Sequence, residues 1–383
     1  MWRNIASNAI TMLIVGMFLL GGVILLGQNQ YSAEGPLSEA VCLRVQSGSN
    51  MSRISNELEA MGAISNGVLF RLGAEYSEKS EQLKAGSFLV PANASMSQIT
   101  DIVTRGGAST CGTEIIYRIG VTRQIIDVRE LNPATTQFVE VASFDPATDI
   151  IPDTYRSTLK QADTRFRISV AEGVTSWQVM DALSKIDILK GDIERPKEGT
   201  LAPDSYEVRN GDTRASVIGR MQKAQEVLLA EAWEGRSAKV PLSSAQDMLV
   251  LASIIEKETG EPDERGQVAS VFTNRLERGM RLQTDPTVIY GITEGEGVLG
   301  RGLRQSELRR ETPWNTYVIT GLPPTPIANP GRASLEAAAN PDVTDYVFFV
   351  ADGTGGHAFA ATLAEHNRNV AKWRRIEVDR ANQ

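Results

Sequence analysis

The strongest constraint on the fold is an uncharged apolar run near the amino terminus. It covers residues 9–27 and reads AITMLIVGMFLLGGVILLG. About 20 apolar residues in a helix span the hydrocarbon core of a bilayer, so this run predicts a membrane-spanning anchor. A secretory signal peptide is the alternative. Its apolar core is usually about 7–15 residues long and ends at a small-residue cleavage site, which the polar sequence at 27–30 does not clearly supply.

The charges around the apolar run predict its orientation. Arg3 precedes the run, and the next basic residue is Arg44. Positive charge favours the cytoplasmic side, so residues 1–8 are expected to form a cytoplasmic tail. A polar linker at 28–40 and the rest of the chain are then expected outside the cytoplasm.

Length and composition limit the remaining function classes. A chain of 383 residues is expected to form two or three folded units. Its net charge of −8 argues against nucleic acid as a partner. The chain has only two histidines, which leaves most histidine-based metal sites out of reach, and its glycine-rich segment at 352–359 lacks the Lys-Ser/Thr of a phosphate-binding loop. We therefore expect neither a metal nor a cofactor.

The two cysteines, Cys42 and Cys111, are far apart in the sequence and form no metal-binding motif. Outside the cytoplasm they could pair. Spacing alone does not give the geometry that a disulfide bond needs, so the sequence leaves their pairing open.

Residues 41–107 predict a small α+β module. The order is a strand at 41–45, a helix whose apolar residues begin at Met51, a helix capped by Asn66, a strand at 87–90 and a helix at 97–104. This order resembles the LysM glycan-binding module. A small α+β spacer explains the same pattern.

The rest of the chain divides into two parts. Residues 108–165 are rich in Thr, Asp and Pro with short β-like pieces, and we interpret them as a connector or insertion. Residues 166–383 alternate strand-like, helical and Gly/Pro-rich segments, which predicts a mixed α+β catalytic domain. The fold class expected for the whole chain is therefore α+β.

The central helix of this domain is predicted to begin at Ser244, whose hydroxyl can cap it, and to end near Gly260. Apolar side chains surround its axis, so the helix is expected to be buried. A carboxyl at Glu256 would lose hydration there, which favours a held proton and suits a general acid. Small residues one turn before and after Glu256 leave room for a substrate, although an ion-paired or solvated surface glutamate is the common alternative.

Other polar residues are candidates for supporting or binding roles. Glu258 is predicted to support the end of the helix and to pair with a base such as Arg265. Irregular polar segments follow, and they supply candidate substrate-binding residues. These are Gln283, Thr284, Asp285, Asn315, Tyr317 and His357. For His357, a structural role is the competing interpretation.

Five ordered segments of this domain resemble the YceG-like endolytic murein transglycosylases. They are LASIIEKETG at 251–260, VASVFTNRL at 268–276, GMRLQTDPTVIYG at 279–291, NTYVITGLPPTPIANPG at 315–331 and FVADGTGGHAF at 349–359. The resemblance places the family's catalytic glutamate at Glu256. It implies cleavage of the MurNAc–GlcNAc bond without water, with the MurNAc 6-hydroxyl forming a 1,6-anhydro end, so that one carboxyl serves as both acid and base.

Two alternatives remain open. A glycoside hydrolase needs a second carboxylate, for which Asp285 is the candidate partner of Glu256. A non-catalytic glycan-binding scaffold beside wall-synthesis enzymes is the other.

The resemblance also implies partners and a location. The partners are peptidoglycan glycan strands, the membrane, and membrane-bound glycan polymerases such as penicillin-binding proteins, with cleavage of nascent strands limiting strand length. The location is the bacterial inner membrane, crossed once, with the catalytic domain in the periplasm.

Overall fold

The computed structural model describes residues 2–105, 111–161 and 164–381, and they divide into two compact units. Unit 1 contains Met1–Ile115, Asp127–Phe144 and Ile150–Arg165, and unit 2 contains Ile116–Ile126, Asp145–Asp149 and Phe166–Gln383. Four short pieces of the predicted tail, module, connector and catalytic domain lie outside the described residues, namely 1, 106–110, 162–163 and 382–383.

Helices and strands occur in both units, as the predicted α+β class requires. Those that unit 1 contains wholly or in part are α1 (Trp2–Ser32), β1 (Val41–Val45), α2 (Met51–Ala60), α3 (Gly67–Tyr76), β2 (Gly86–Val90), α4 (Met96–Thr104), β3 (Thr113–Ile119), β4 (Gln124–Asn132), β5 (Gln137–Phe144) and α5 (Asp153–Thr158). The remaining elements belong to unit 2, apart from Arg165 at the start of β6. They are β6 (Arg165–Val170), α6 (Ser176–Ser184), β7 (Ser205–Val208), α7 (Arg214–Glu234), α8 (Ala245–Glu258), α9 (Arg265–Glu277), α10 (Asp285–Thr293), α11 (Gln305–Arg309), α12 (Arg332–Ala339), β8 (Phe348–Ala351), β9 (His357–Ala360) and α13 (Leu363–Ala381).

The first helix contains the predicted membrane span. Its segment Thr11–Ser32 is long and apolar enough to cross a bilayer, and the most apolar window within that segment has no buried residue. The helix continues past Gly27, where the apolar run ends, to Ser32. Part of the predicted linker is held in place, because the backbone N–H of Gly35 donates to the carbonyl of Asn93 over 3.1 Å.

The order of elements predicted for 41–107 is confirmed. Strands β1 and β2 pair antiparallel, with Val41 opposite Val90. Asn66 caps α3 by accepting from the backbone N–H of Leu69 over 2.9 Å. The apolar sides of α2, α3 and α4 close one core with these strands, around the fully buried Phe70. The likeness of this module to LysM stays a prediction.

The pairing of the two cysteines, which the sequence left open, is resolved. Cys42 and Cys111 form a disulfide bond with their Cα atoms 5.8 Å apart. The backbone N–H of Cys111 also donates to the carbonyl of Ser87, which fixes this end of the bridge beside β2.

The segment 108–165, interpreted as a connector or insertion, contains three strands and a helix in its described part, 111–161 and 164–165. Strands β3, β4 and β5 belong to a five-stranded sheet of order β5-β4-β3-β6-β7, and β3 and β4 each contribute residues to both units. Strand β3 is buried over most of its length, from Thr113 to Tyr117 and again at Ile119. Its short apolar run therefore signals a core strand.

Helix α8 is the buried centre of unit 2, as its all-round apolar pattern predicts. The eight residues from Met248 to Ile255 are all buried. The core around them takes residues from α9, α10 and α12. The residues at the carboxyl end of α8 are consequently held by packing on several sides.

Candidate active site

The amino end of α8 is capped as predicted, with one difference. Ser244 Oγ accepts from the backbone N–H of Asp247 over 3.1 Å. The difference is an added bond: the carboxylate of Asp247 accepts from the backbone N–H of Ser243 over 3.1 Å, which extends the cap one residue beyond Ser244. The cap and the buried core fix where the other end of the helix lies.

Glu256 lies in the last turn of α8 and is half-buried. Its Oε2 accepts a hydrogen bond of 2.9 Å from the backbone N–H of Gly331. One turn earlier, the backbone N–H of Ile327 donates to Ser253 Oγ over 3.0 Å. The segment 327–331 therefore lies along the small-residue side of α8 that the sequence left for substrate, and it fixes the carboxylate of Glu256.

A second carboxyl, Glu172, lies beside the same glycine. A Cβ added to Gly331 would lie only 1.7 Å from Glu172 Oε1, so the carboxyl packs against the position that a side chain would occupy. Burial of the Glu172 carboxyl raises its pKa, the negative charge of Glu256 raises it further, and the charge of Arg265 acts in the opposite direction. Glu172 and Glu256 are thus electrostatically coupled neighbours.

Sequence reasoning missed Glu172. It follows β6 and precedes Gly173, which has a φ of +76° that favours glycine. A Cβ at Gly173 would lie 3.6 Å from Glu256 Cγ. The available signal was the pair Glu172-Gly173 between a strand and a capped helix, which places a carboxyl on a tight turn.

Asn329 holds the Glu172 turn and the Gly331 segment together, and it is fully buried. Its backbone pairs in both directions, because the N–H of Gly173 donates to its carbonyl and its own N–H donates to Val174, each over 3.0 Å. Its side-chain amide donates to Val174 and accepts from the backbone of Leu201. One asparagine thereby links the turn after β6 with the segment that contacts Glu256.

Glu198, in the irregular segment that leads into β7, has a buried carboxylate. Glu198 Oε1 accepts from the backbone N–H of Ser176 over 2.7 Å at the start of α6, and Tyr290 donates to Oε2 over 3.3 Å. Burial raises the pKa of Glu198, while the backbone bond from Ser176 and the charge of Arg195 oppose that rise. This carboxylate anchors α6 beside the Asn329 network.

Lys257, the residue after Glu256, also contacts the Glu172 turn and borders a cavity of about 300 Å³. Its Nζ donates to the carbonyl of Gly173 over 3.2 Å. Burial lowers the pKa of Lys257, and the charges of Glu256 and Glu198 act against that shift. Polar residues from several elements share the cavity wall. They include Thr175, Gln178, Tyr290 and Arg301.

Glu258 supports a separate polar cluster and does not form the predicted pair with Arg265. Its Oε1 accepts from the hydroxyl of Thr284. Burial raises the pKa of Glu258, with a smaller contribution from the charge of Asp285. Arg265 instead interacts electrostatically with Glu172. The prediction of that pair assumed that the next basic residue faces Glu258, and α9 turns Arg265 elsewhere.

Several candidate binding residues gather around Glu258. Tyr317 donates to Asp285 Oδ1 over 2.7 Å, and burial raises the pKa of Tyr317. Asp285 was expected in an irregular loop but begins α10, with Thr284 as its N-cap residue. Gln283 is exposed. Asp285 therefore interacts with Tyr317 and Glu258, and Glu172 is the carboxyl coupled to Glu256.

Two candidate binding residues make structural contacts. Asn315 is fully buried, and its amide donates to the carbonyl of Arg310 over 2.7 Å while its Oδ1 accepts from the backbone of Tyr317. His357 Nδ1 lies 2.9 Å from Glu264 Oε2, and its backbone N–H donates to Glu264 Oε1 over 2.7 Å. These contacts favour loop-holding roles for both residues.

A carboxyl at the end of a buried helix, with a second carboxyl beside it and a cavity-lining lysine next in the chain, is the kind of site expected of an acid–base enzyme. A model of the YceG-like family matches residues 134–372, which is more than half of the chain. The chain therefore belongs to the YceG-like family.

Curated proteins with similar sequences carry one name. The endolytic murein transglycosylase of Bacillus subtilis strain 168 is 29% identical over 356 residues, covering 93% of this chain and 91% of that protein. The endolytic murein transglycosylase of Streptococcus pneumoniae serotype 2 strain D39 is 26% identical over 338 residues and 87% of this chain. The match spans only 58% of that streptococcal protein's length.

A solved structure is also similar. The crystal structure of a YceG-like protein from Listeria monocytogenes is 26% identical, with a TM-score of 0.46, and the match covers 86% of this chain and 99% of that one.

Proposed function

We propose that this protein is a membrane-anchored endolytic murein transglycosylase that cleaves the MurNAc–GlcNAc bond of glycan strands and leaves a 1,6-anhydroMurNAc end. The observation that carries the proposal is the position of Glu256, a half-buried carboxylate held by Gly331 next to a second carboxyl and close to the cavity bordered by Lys257. The names of the Bacillus and Streptococcus relatives support the substrate class.

In the proposed reaction Glu256 acts twice. Its carboxyl gives a proton to the GlcNAc O4 as the bond from MurNAc C1 to O4 breaks. The 6-hydroxyl oxygen of the same MurNAc then bonds to C1, and its proton passes to the Glu256 carboxylate. The acid form is restored and no water is consumed.

Neighbouring residues have proposed roles that follow from their contacts. The hydrogen bond from Gly331 and the packing around Glu172 orient the acid. Lys257 and the polar wall of the cavity are proposed to bind sugar hydroxyl and amide groups beside it. The exposed Gln283 and the Asp285–Tyr317 pair are proposed as a more distant part of the glycan-binding surface.

The coupled carboxyls also favour a second candidate function. A glycoside hydrolase uses two carboxyls, one as the acid and the other as base or nucleophile. Glu172 is better placed than Asp285 for that second role, because Glu172 interacts with Glu256 and Asp285 bonds to Tyr317. The chemical nature of the newly formed glycan end separates the two reactions.

The proposed location is the bacterial inner membrane, crossed once by α1, with the amino terminus in the cytoplasm and the catalytic unit in the periplasm. The disulfide bond between Cys42 and Cys111 supports an oxidising compartment for the chain after α1. Membrane-bound glycan polymerases, such as penicillin-binding proteins, are proposed as partners whose nascent strands are shortened.

The experiment that tests catalysis against a scaffold role compares the full chain with Glu256→Gln on isolated glycan strands. We expect cleavage by the wild type and a fall of about 10²–10⁴-fold in the variant, the usual contribution of a general acid. Glu277→Gln is the matched control because Glu277 is exposed on α9. Strand binding without cleavage by the wild type would support the scaffold instead.

A further inference from the structure

Helix α3 lies against the carboxyl end of the membrane-spanning helix. A Cβ added to Gly27 would lie 3.6 Å from Leu69 Cδ1, and one added to Gly73 would lie 2.2 Å from the ring of Tyr31. The hydroxyl of Tyr31 also donates to Thr100 Oγ1 over 2.8 Å. The module is therefore packed directly on the last turns of α1.

The two contacts fix the relative level of α1 and α3. Gly27 meets Leu69 and Tyr31 meets Gly73, so each helix advances four residues, about one turn, between the contacts. The two helices run side by side in the same direction at this point. The start of α3 is thus level with Gly27, where the apolar run of the anchor ends.

Helix α3 carries an exposed apolar stripe that the module's own core does not use. Val68 and Leu72 are each 58% exposed and Tyr76 is 82% exposed. Their spacing of four residues places them on one face of the helix. Leu69 and Gly73 each follow a stripe residue, about 100° further round the helix, so the stripe borders the contact with α1.

We propose that the stripe Val68–Leu72–Tyr76 is a membrane contact, seated at the outer boundary between acyl chains and headgroups of the bilayer that α1 crosses. The inference rests on the proposed anchoring role of α1. Continuity with the lipid-facing surface of α1 selects the occupant, because Val68 stands at the level where the apolar span ends. Leu72 lies one turn further on, about 6 Å along the axis, at the depth of the headgroups, and Tyr76, at about 12 Å, marks the aqueous end of the stripe.

The charges beside the stripe identify the kind of lipid contact. Glu75 and Glu78 are exposed next to it. The two neighbouring cations are engaged, since Arg71 donates to Ser55 Oγ over 2.6 Å and Lys79 pairs with Asp101. Attraction to anionic headgroups is therefore not the driving force. Burial of apolar surface is the driving force instead. The contact is therefore expected on zwitterionic lipid, without a strong dependence on salt.

The test measures the depth of a spin label in the full chain, reconstituted into phosphatidylcholine vesicles. A nitroxide is attached to Val68→Cys or Leu72→Cys, with the native cysteines protected by their disulfide bond. Collision rates with oxygen, which concentrates in lipid, are compared with those of a water-soluble nickel chelate. Val139→Cys is the aqueous control, an equally apolar residue that is 50% exposed on β5 of the same unit, and Leu25→Cys reports on the anchor.

We expect labels at 68 and 72 to collide more with oxygen and less with nickel than the label at 139, and the difference to persist in high salt. Adding Leu72→Glu to the chain labelled at 68 should shift that label toward aqueous values. If the label at 25 shows lipid-like collision rates while the labels at 68 and 72 show aqueous ones, the membrane contact of the stripe is wrong and the anchor stands. Aqueous values at all three would overturn the anchor as well. Burial of the stripe only after a membrane protein is added would assign it to a protein partner instead.

Discussion

Glu172 and Glu256, separated by 84 positions in the sequence, meet on either side of Gly331. The backbone N–H of Gly331 donates to Glu256 over 2.9 Å, and its hydrogen-only α-carbon leaves the space that the carboxyl of Glu172 occupies. The charge of Glu256 contributes to the raised pKa of Glu172. The candidate site is therefore a carboxyl pair arranged around a glycine.

Replacing Glu172 with Gln tests whether the pair acts as one titrating unit. Burial and the charge of Glu256 raise the pKa of Glu172, so Glu172 keeps a proton on the pair to higher pH than an ordinary glutamate would. We expect the variant to lose activity on the alkaline side at a lower pH than the wild type, with the fold intact. Profiles of glycan cleavage against pH for wild type, Glu172→Gln and the exposed control Glu277→Gln provide the measurement. Superimposable profiles would remove Glu172 from the proposed mechanism.

Adding a methyl group at Gly331 tests the geometry of the pair. The backbone of Gly331 has a φ of −78°, which alanine adopts freely. The three atoms nearest to the added methyl group all belong to the flexible side chain of Glu172. We expect the variant to fold normally and to displace that carboxyl. Its pH profile should match that of Glu172→Gln, and the double variant should be no worse than either single one. Additive losses in the double variant would show that the methyl group acts by another route.

Asn329→Ala tests the link between the Glu172 turn and the Gly331 segment. The change leaves the buried N–H of Leu201 and carbonyl of Val174 without their side-chain partner. We expect the free energy of unfolding to fall by about 3 kcal/mol, the size expected when a buried hydrogen-bond network loses its central residue. Denaturant titration is the measurement, with the exposed Asn340→Ala as control. Equal, small losses in both variants would contradict the linking role.

Glu258→Gln tests the cost of a buried charge. The pKa of Glu258 is raised in the folded protein, so the folded state binds the proton more tightly than the unfolded chain, whose glutamates titrate near pH 4.3. Wild-type stability should therefore increase as the pH falls through the folded value toward 4.3, and decrease as it rises. The glutamine variant, which still accepts from Thr284, lacks this dependence.

Thermal unfolding midpoints across pH provide the measurement for Glu258. We expect the variant to exceed the wild type at neutral pH and the difference to shrink on acidification. A difference that grows on acidification would mean that Glu258 is stabilised as the carboxylate.

The elements with strong local signals were predictable from the sequence. The apolar span, the helix caps at Asn66 and Ser244 and the burial of α8 each depend on residues within one or two turns, and the structure confirms them. The interpretation of 108–165 as a connector or insertion stays a prediction. Its strands gave only a weak local signal, because the exposed face of β5 carries no continuous apolar run.

The arrangement of the site could be predicted only in part. Glu256 stands out locally as a carboxyl on a buried helix. Glu172, Asn329 and Gly331 matter through contacts between distant segments, and no periodicity or capping rule encodes such contacts. Asp285 was the candidate second carboxyl because it is close to Glu256 in the sequence. In the folded chain it accepts a hydrogen bond from Tyr317 instead.

The most direct test of the central claim is the mass of the new glycan end formed in water enriched in ¹⁸O. The full chain and Glu256→Gln are incubated with glycan strands, and the products are analysed by mass spectrometry. We predict wild-type fragments that lack the mass of one water and carry no ¹⁸O at the new end, and loss of these fragments in the variant. Hydrated, ¹⁸O-labelled reducing ends that depend on Glu256 would contradict the transglycosylase and establish a hydrolase.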